Sequence, residues 1–527
     1  MPKLTEPVPR AFAVLAILIA VSATSLGGGW VYDDLHMVGN AAMDEAADVL
    51  AALWRTSDDY LPPSVHGATR TFRPATMVTL VATHVAAPSP VAHRIVSLFL
   101  HALVVLLLLS WERRHASAWT LAVAAFALHP ALAEAWLYVN GRSDLVAGLC
   151  LAGLWRALRM RHRATPFACA IFALLGALSK ETFVVAAPFV LLATLLERSR
   201  DARRRVLASA AGIVAAIGVA AALGPDLGAG GSTARLLDPR MASHWPALIG
   251  LGAETIALPW PRPMRSLAHE LGPAAGAHLA ALVIVVAAVA ALAIKRRLRA
   301  LLHVLGAVAV LLPTALVSDV FWLGFDRYLY MPMILIVTAC APELRAIAIR
   351  RRAALGSASA LAVLGVLTAA SGLAYASHEA MIEAMIARRR EDPTGYLLGA
   401  SERAQHGDPA GAFALVERIQ ADQLTGASAH QTASILHRLE RPELVIMVVE
   451  EAHRREPDHP FVRLDLVALR GAQGRFDEAL DLAERLREEP GFCDPVRAEL
   501  EGWATASQVP AAERTRAAYL ARPCAAR

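Results

Sequence analysis

Long apolar runs that recur along the chain constrain its fold more than any other feature. A helix that crosses a bilayer needs about 20 mostly apolar residues. Eleven candidate runs begin near Ala11, Ala92, Ala118, Leu145, Pro166, Phe183, Val206, Ala277, Ala300, Leu329 and Ala354. The chain is 56% hydrophobic and only 18% charged, which excludes a single water-soluble globule. The sequence therefore predicts an all-α fold: a polytopic transmembrane helix bundle.

Clusters of basic residues predict how these spans are oriented. Arg and Lys follow every even-numbered run and also precede the first one. Cytoplasmic loops carry such an excess of positive charge, so we expect a cytoplasmic N-terminus and an extracytoplasmic C-terminus. The clusters form no continuous basic face, which argues against nucleic-acid binding. The Ala- and Arg-rich composition is typical of bacteria, so a bacterial inner membrane is the expected location.

The connections expected on the outer face are the more distinctive ones. The first outer loop, residues 28–90, contains semi-polar helical patterns near 42–54 and 76–85, which predict helices on the membrane surface. A second long outer loop, residues 225–276, is rich in Gly and Pro and is predicted to be a mobile cover. Together with the spans, these loops make up a predicted membrane domain of residues 1–376.

Amphipathic patterns with a repeat replace the apolar runs from about residue 377. Similar stretches start at Gly407, Glu440 and Gly474, which are 33 and 34 residues apart. Helix pairs of tetratricopeptide repeats have this period. Residues 377–527 are therefore predicted to form an extracytoplasmic α-solenoid of three or four repeats.

The five cysteines show no spacing typical of a metal site. Cys150, Cys169 and Cys340 lie inside apolar runs, and no C-x-x-C pair is present. If the C-terminal part is extracytoplasmic, Cys493 and Cys524 are in a compartment that allows a disulfide between them.

Charged residues concentrate at the outer ends of the predicted spans. The adjacent carboxylates Asp33 and Asp34 follow the first apolar run, and Arg73 lies in the first outer loop. Ionisable groups within a span are costly and usually functional. The other candidates are His129, Glu134, Arg142, Asp144, Lys180, Glu181, Asp326, Arg327 and Tyr330.

Simpler structural explanations stay open for several of these residues. Arg142 and Asp144 can form an ion pair within their turn. Lys180 and Glu181 can form an interfacial salt bridge, or Glu181 can orient Lys180 towards a phosphate. Tyr330 can anchor its helix in the aromatic belt at the membrane surface.

The order of these motifs resembles the transmembrane and tetratricopeptide-repeat O-mannosyltransferase family, within the C-type glycosyltransferase (GT-C) superfamily. The motifs are Tyr32-Asp33-Asp34, Phe72-Arg73-Pro74, His101-Ala102-Leu103, His129-Pro130 with Glu134, Gly141-Arg142-Ser143-Asp144, Ser179-Lys180-Glu181 and Arg327-Tyr328-Leu329-Tyr330. The chain departs from the family in three respects. Its repeat array is shorter, Ser143 stands where a small apolar residue is common, and Asp326 stands where Glu is frequent.

The resemblance implies that a hexose, mannose or another, is transferred from a polyprenyl-phosphate donor to a hydroxyl on the outer face. A hydroxyl acceptor needs a general base. Asp34 is the favoured base and Asp33 the alternative, and the other carboxylate would orient the acceptor or the backbone. A single base and a single leaving phosphate predict inversion at the anomeric carbon.

Arg327, Lys180 and Arg142 are the candidates that would stabilise the departing phosphate. His129 and Glu134 would shape the donor site. No metal site is predicted, and a divalent ion that bridges the acidic pair and the phosphate stays an alternative. The repeats would bind a protein or peptide acceptor.

Two other functions are compatible with a chain of this kind. A transporter or flippase would use intramembrane charges as a substrate path, and many transporters show inverted internal repeats. We find no such internal symmetry in the sequence. A catalytically inactive scaffold would use the membrane domain to present the repeats.

Overall fold

The computed structural model of the protein is built from α-helices and short turns. It describes residues 7–31, 34, 41–60, 71–110, 117–223, 239–260, 275–317, 325–344, 351–388, 392–420, 424–487, 492–507 and 510–521. No β-strand occurs in these ranges, and the predicted all-α class is confirmed for them.

The N-terminal part contains fifteen helices within the described ranges. They are α1 (Pro7–Leu26), α2 (Ala46–Ala51), α3 (Pro74–Ala86), α4 (Pro90–Leu109), α5 (Ser117–Ala127), α6 (Pro130–Leu137), α7 (Arg142–Ala157), α8 (Thr165–Ala177), α9 (Glu181–Leu195), α10 (Arg200–Leu223), α11 (Pro239–Ala257), α12 (Ala275–Ile294), α13 (Leu298–Leu311), α14 (Tyr330–Leu344) and α15 (Arg351–Ala374). Each predicted apolar run coincides with one of these helices, except the run from Ala118, which contains α5 and α6.

Three of these helices are long and apolar enough to cross a membrane. They are α4, α10 and the part of α15 from Gly356 to Ala374. The pair α5 and α6 passes the same test as one broken span. Several other apolar helices, such as α8 and α9, are shorter than a bilayer requires. The chain is thus consistent with an integral membrane protein, whereas the predicted number of eleven spans is not confirmed.

The break between α5 and α6 bends the chain by 52°. Pro130 begins α6, at a position where the N–H that proline lacks has no helical partner in any case. The Nδ1 atom of His129 accepts a hydrogen bond from the N–H of Ala131 at 3.3 Å and so caps α6. The run from Ala118, predicted as a single span, is therefore two helices.

A continuous apolar core joins α1, α4–α10 and α13–α15. Its largest fully buried side chains include Trp119, Trp136 and Trp155. The rings of Trp119 and Trp155 stack with their centroids 6.2 Å apart. Gly148 leaves room for the ring of Tyr330, because a Cβ atom at Gly148 would lie 2.5 Å from that ring.

The two long loops predicted to lie on the outer face contain helices. The stretches predicted near 42–54 and 76–85 correspond to α2, which lies between two 3-10 turns, and to α3. The second loop was expected to be a Gly- and Pro-rich cover, but it contains the 19-residue helix α11. Leu248 and Leu251 of α11 pack against Leu311 and Leu329, so this helix buries an apolar face of its own. The rest of residues 225–276 lies outside the described residues, apart from 258–260 and the first turn of α12.

The C-terminal part begins with α16 (His378–Arg388), which packs on the bundle. Met381, Ile382 and Met385 of α16 are buried in the same core as α15. Eight helices follow: α17 (Pro393–Gln405), α18 (Pro409–Val416), α19 (Gly426–Arg438), α20 (Pro442–Arg455), α21 (Pro460–Ala472), α22 (Phe476–Leu486), α23 (Cys493–Ser507) and α24 (Pro510–Leu520).

These eight helices form four consecutive pairs in the described chain. The first helices of the pairs begin at residues 393, 426, 460 and 493, which are 33, 34 and 33 residues apart. The period therefore agrees with the one read from the sequence. Assignment of the pairs to tetratricopeptide repeats stays a prediction.

The turn inside each of the first three pairs has the same geometry. Gly407, Glu440 and Gly474 all have positive φ, at 77°, 56° and 72°. In each turn the N–H of the next residue donates to the carbonyl five residues earlier, which is the Schellman arrangement at a helix C-terminus. Glycine adopts this backbone region without steric cost, whereas Glu440 carries a Cβ atom there.

The last helix pair carries a covalent link. Cys493 is disulfide-bonded, whereas Cys150 and Cys169 are not. Cys524, the predicted partner of Cys493, lies outside the described residues.

An imidazole and a carboxylate connect α19 and α21, which are the first helices of the second and third pairs. The Nδ1 atom of His430 lies 2.7 Å from Oδ1 of Asp465, and the ring of Phe461 stacks on the imidazole. Burial lowers the pKa of His430, but the hydrogen bond and the charge of Asp465 raise it further, so the net pKa lies above the ordinary value.

We predict that Glu440→Gly stabilises the protein by about 0.5–1 kcal/mol, because it relieves a left-handed backbone conformation. Gly474→Ala, the matched change in the opposite sense, should destabilise it by about 1 kcal/mol. Urea-dependent pulse proteolysis of the full chain in detergent measures both values. Destabilisation by Glu440→Gly would contradict the turn geometry.

We also predict that Asp465→Asn destabilises the repeat region more at low pH than at high pH. The pair stabilises the protonated imidazole of the folded protein. This stabilisation is fully present below the pKa of histidine in the unfolded chain, about 6.5, and is lost as the pH rises through the higher pKa of the folded protein. Unfolding free energies at about pH 5.5 and about pH 8.5 test this. The variant His406→Gln, on an exposed helix end, is the control. A wild-type advantage that grows with pH would refute the prediction.

Candidate functional site

Asp34 holds the turn that leads α6 into α7. Its side chain is buried, and its Oδ2 and Oδ1 atoms accept hydrogen bonds from the backbone N–H groups of Val139 and Asn140, each at 3.1 Å. Val139 and Asn140 lie in the 3-10 turn Val139–Gly141. Asp34 therefore connects the segment after α1 with this turn. Asp33 lies outside the described residues.

Glu134 on α6 connects two other segments. Its Oε1 atom accepts a hydrogen bond from the backbone N–H of Arg327 at 3.2 Å, and its Oε2 atom accepts one from the hydroxyl of Tyr375 at 3.2 Å. The buried carboxylate of Asp326 lies close enough to interact electrostatically with Glu134. The 3-10 turn Asp326–Leu329 and the end of α15 thus meet at one carboxylate.

Two buried cations lie against two tyrosine rings. The guanidinium carbon of Arg327 lies 4.8 Å from the ring centroid of Tyr138 and 5.3 Å from that of Tyr328. The ammonium of Lys180 lies 4.3 Å from the ring centroid of Tyr328, on which both cations therefore converge. Such contacts retain part of the favourable electrostatics that a cation loses when it leaves water.

Lys180 and Asp144 form a buried salt bridge next to these rings. Their Nζ and Oδ1 atoms are 2.5 Å apart, and each side chain is only 2% exposed. The second carboxylate oxygen of Asp144 is buried and makes no hydrogen bond to any part of the chain that the structure describes. We name the group of Glu134, Tyr138, Asp144, Lys180, Asp326, Arg327 and Tyr328 the cation–tyrosine cluster.

Arg73 and Glu181 form a second salt bridge, at the edge of this cluster. Nε and Nη2 of Arg73 donate to the two carboxylate oxygens of Glu181 at 3.0 and 2.7 Å. Burial lowers the pKa of Arg73, but the charge of Glu181 raises it above its ordinary value. The side chain of Glu181 is 60% exposed, so this pair faces the surroundings more than Lys180 and Asp144 do.

These contacts correct the ion pairs considered from the sequence. Lys180 bonds to Asp144 rather than to its neighbour Glu181, and the carboxylate that orients Lys180 is that of Asp144. The cause is local. Lys180 caps α9 with an extended backbone, φ −162° and ψ 136°. Successive side chains leave an extended backbone in opposite directions.

Arg142 does not join the cluster but faces α3 and α4. Its acceptors are Oγ of Ser97, the carbonyl of Thr79, Oγ1 of Thr83, and the carbonyl and Nδ1 of His93. A guanidinium has five N–H donors. These five contacts within the protein use all of them, so none is left for a phosphate in this arrangement.

His129 and Tyr330 make their hydrogen bonds to groups outside the cluster. The Nε2 atom of His129 lies 3.3 Å from the carbonyl of Ile256, and its Nδ1 caps α6. The hydroxyl of Tyr330 lies 2.6 Å from Nδ1 of His101 in the bundle core, and its side chain is fully buried. Neither aromatic-belt anchoring nor donor binding by Tyr330 is supported by this position.

The sequence analysis missed Arg94. This residue lies in the first turns of α4, and its buried guanidinium donates to backbone carbonyls of three separate segments. A cation inside an apolar run of 20 residues was a readable signal. It was passed over because it does not lie in one of the mixed-charge connections.

The cluster contains two cations and three carboxylates, and the third cation at its edge, Arg73, is paired with Glu181. A phosphate would therefore have to bind through local contacts with these cations. Lys180, Arg327 and Arg73 provide positive charge, and apolar helices surround them. Within the described ranges no three His, Cys, Asp or Glu side chains converge in an arrangement that could hold a metal ion.

Comparison of the chain with protein-family models, with curated proteins and with solved structures found no match in any of the three. The resemblance described above therefore depends on the order of the motifs alone.

We predict that Asp144→Asn destabilises the protein by about 3 kcal/mol or more, because it leaves the buried Lys180 without a counter-charge. The double variant Lys180→Met with Asp144→Leu should be less destabilised than Lys180→Met alone or Asp144→Leu alone. Thermal unfolding in detergent micelles compares wild type, Asp144→Asn, the double variant and its two single changes.

The matched control is Arg485→Met, which breaks an exposed pair with Asp481. Such pairs contribute less than about 1 kcal/mol. If Asp144→Asn costs no more than this control, Lys180 and Asp144 do not form a buried pair in the membrane protein.

Proposed function

We propose that the protein is an integral membrane glycosyltransferase of the GT-C type. It transfers a hexose, mannose or a related sugar, from a polyprenyl-phosphate donor to a hydroxyl on the extracytoplasmic face. The observation that carries the proposal is the convergence of Lys180 and Arg327 on Tyr328. The proposal assigns this cluster to the donor phosphate.

An anionic donor would be held in the cluster by local contacts with the cations rather than by net charge, because three carboxylates accompany two cations. Lys180 and Arg327 are buried among apolar helices, where an ion costs several kcal/mol unless partners, such as Asp144 for Lys180, replace its hydration. A phosphate that binds beside them gains electrostatic energy that water would otherwise screen. Arg73 at the exposed edge is a third cation, and it is paired with the carboxylate of Glu181.

The two aspartates have different roles in this proposal. Asp34 uses both carboxylate oxygens to bind backbone N–H groups of Val139 and Asn140. This suits the orienting role that the sequence left open for one of the pair. Asp33 then becomes the candidate general base, which reverses the preference drawn from the sequence.

The proposed reaction is a single displacement at the anomeric carbon. The base takes the proton of the acceptor hydroxyl, and the hydroxyl oxygen forms a bond to the anomeric carbon. The bond from that carbon to the phosphate oxygen breaks, and its electron pair leaves with the lipid phosphate. Lys180 and Arg327 stabilise the charge that develops there. One displacement inverts the configuration of the sugar.

The architecture that goes with this proposal has eleven spans, a cytoplasmic N-terminus and an extracytoplasmic C-terminus. The disulfide at Cys493 supports an oxidising location for the last helix pair. The four helix pairs, with their period of 33 to 34 residues, support a tetratricopeptide-like array. We assign this array to the binding of a protein or peptide acceptor.

The decisive test replaces each aspartate separately. A strain of the source organism that lacks the gene is complemented with wild type, Asp33→Asn or Asp34→Asn at equal abundance. Mass spectrometry then measures hexose-sized additions on extracytoplasmic proteins and lipids. Loss of a general base lowers the rate about a hundredfold or more. Asp33→Asn should therefore abolish the addition, and Asp34→Asn should reduce it.

Asp44→Asn, an exposed change in the same outer loop, is the matched control and should restore the addition in full. If both Asp33→Asn and Asp34→Asn also restore it, the acidic pair is not the catalytic centre. If the deletion removes no hexose addition, the transferase proposal fails, and transport or scaffolding becomes the leading function.

A further inference from the structure

The guanidinium of Arg94 occupies the junction of three helix ends. Nη1 donates to the carbonyl of Ser25 at 2.7 Å, Nη2 donates to those of Gly29 and Tyr375 at 2.7 Å, and Nε donates to that of Leu137 at 3.1 Å. The side chain is fully buried. One planar group therefore satisfies four carbonyls.

Each of these carbonyls belongs to a segment that leads into the candidate site. Ser25 lies in the last turn of α1, Gly29 follows this helix, and both precede the acidic pair. Leu137 ends α6, directly before Tyr138 and the turn that Asp34 holds. Tyr375 follows α15, and its hydroxyl donates to Glu134. Carbonyls at helix ends have no partner within their own helix, and arginine near a C-terminus can bind them.

The backbone at Gly28 is packed directly against this guanidinium. A Cβ atom at Gly28 would lie 2.0 Å from Nη1 of Arg94 and 2.7 Å from the carbonyl oxygen of Tyr375. The N–H of Gly29 also donates to the carbonyl of Ala376 at 2.8 Å. The glycine thus allows the chain before the acidic pair to approach both Arg94 and the end of α15.

We propose that Arg94 is a positioning residue, which keeps the acidic segment, the turn Val139–Gly141 and Tyr375 in register with one another. The planar guanidinium, with its several N–H donors, is what binding four carbonyls at once requires. A lysine in its place would retain the positive charge, but its ammonium cannot reach four carbonyls in one plane. The effect of Arg94 on the structure follows from these contacts alone, whereas its effect on catalysis rests on the proposed function.

The test compares Arg94→Lys with Arg205→Lys in the full chain. Arg205 is another buried arginine that donates to backbone carbonyls, those of Asp201 and Met160. Hydrogen–deuterium exchange in detergent micelles, followed by mass spectrometry, measures each backbone segment. Arg94→Lys should speed exchange at Gly29, at Val139–Gly141 and at residues 375–376 by about tenfold or more. Arg205→Lys should leave these segments unchanged.

Gly28→Ala provides a second route to the same contact. It retains Arg94 but pushes the backbone away from it, so it should speed exchange in the same three segments. This variant decides the question if Arg94→Lys does not yield folded protein. Hexose addition in the complemented strain is measured in parallel and should fall with both variants but not with Arg205→Lys.

Three results would overturn the inference. Exchange at the three segments that matches wild type would show that charge alone is sufficient at position 94. A uniform rise across all helices would show a general contribution to stability. Normal hexose addition despite faster local exchange would remove the catalytic consequence. If wild type itself adds no hexose, the proposed function fails, while the exchange data still test the positioning role.

Discussion

Burial of charge inside an apolar helical bundle is the constraint on which this structure depends. Moving an ion out of water costs several kcal/mol of free energy unless partners replace its hydration. Lys180 meets Asp144 and a tyrosine ring, Asp34 meets two backbone N–H groups, and Arg94 meets four carbonyls. Because the partners come from helices far apart in sequence, each buried charge also determines how helix ends lie relative to one another. The candidate site is the region where these requirements coincide.

Properties that depend on local periodicity could be read from the sequence. Every predicted apolar run is helical, although the run from Ala118 is divided into two helices. The repeat interval in the C-terminal part agrees with the starts of four helix pairs. Glu440 was identified only as the start of a stretch that is similar to those at Gly407 and Gly474. The structure places all three residues in turns with positive φ, although glutamate is unusual in that backbone region. The break at His129 and Pro130 was visible as a motif, but its effect on the span was not anticipated.

Partners across the fold could not be read in the same way. Sequence neighbours suggested Lys180 with Glu181 and Arg142 with Asp144, whereas the structure pairs Lys180 with Asp144 and Arg73 with Glu181. Residues 73 and 181 are distant in sequence, and only the packing of α3 on the start of α9 brings them together. Arg142 was chosen for its charge, yet its five donors are used within the protein. Arg94 was passed over because the surrounding helix is otherwise apolar. Charge type was thus predictable, but the direction of each side chain was not.

The C-terminal array has one attached end and one distal end. Three side chains of α16 are buried in the bundle, while the later helix pairs contact mainly their neighbours. Stability in such arrays passes from one repeat to the next, so resistance to local opening declines with distance from the attachment. Fraying should begin at the last pair, where the disulfide of Cys493 lies. The disulfide therefore restrains Cys493 at the end of the array that neighbouring helix pairs support least.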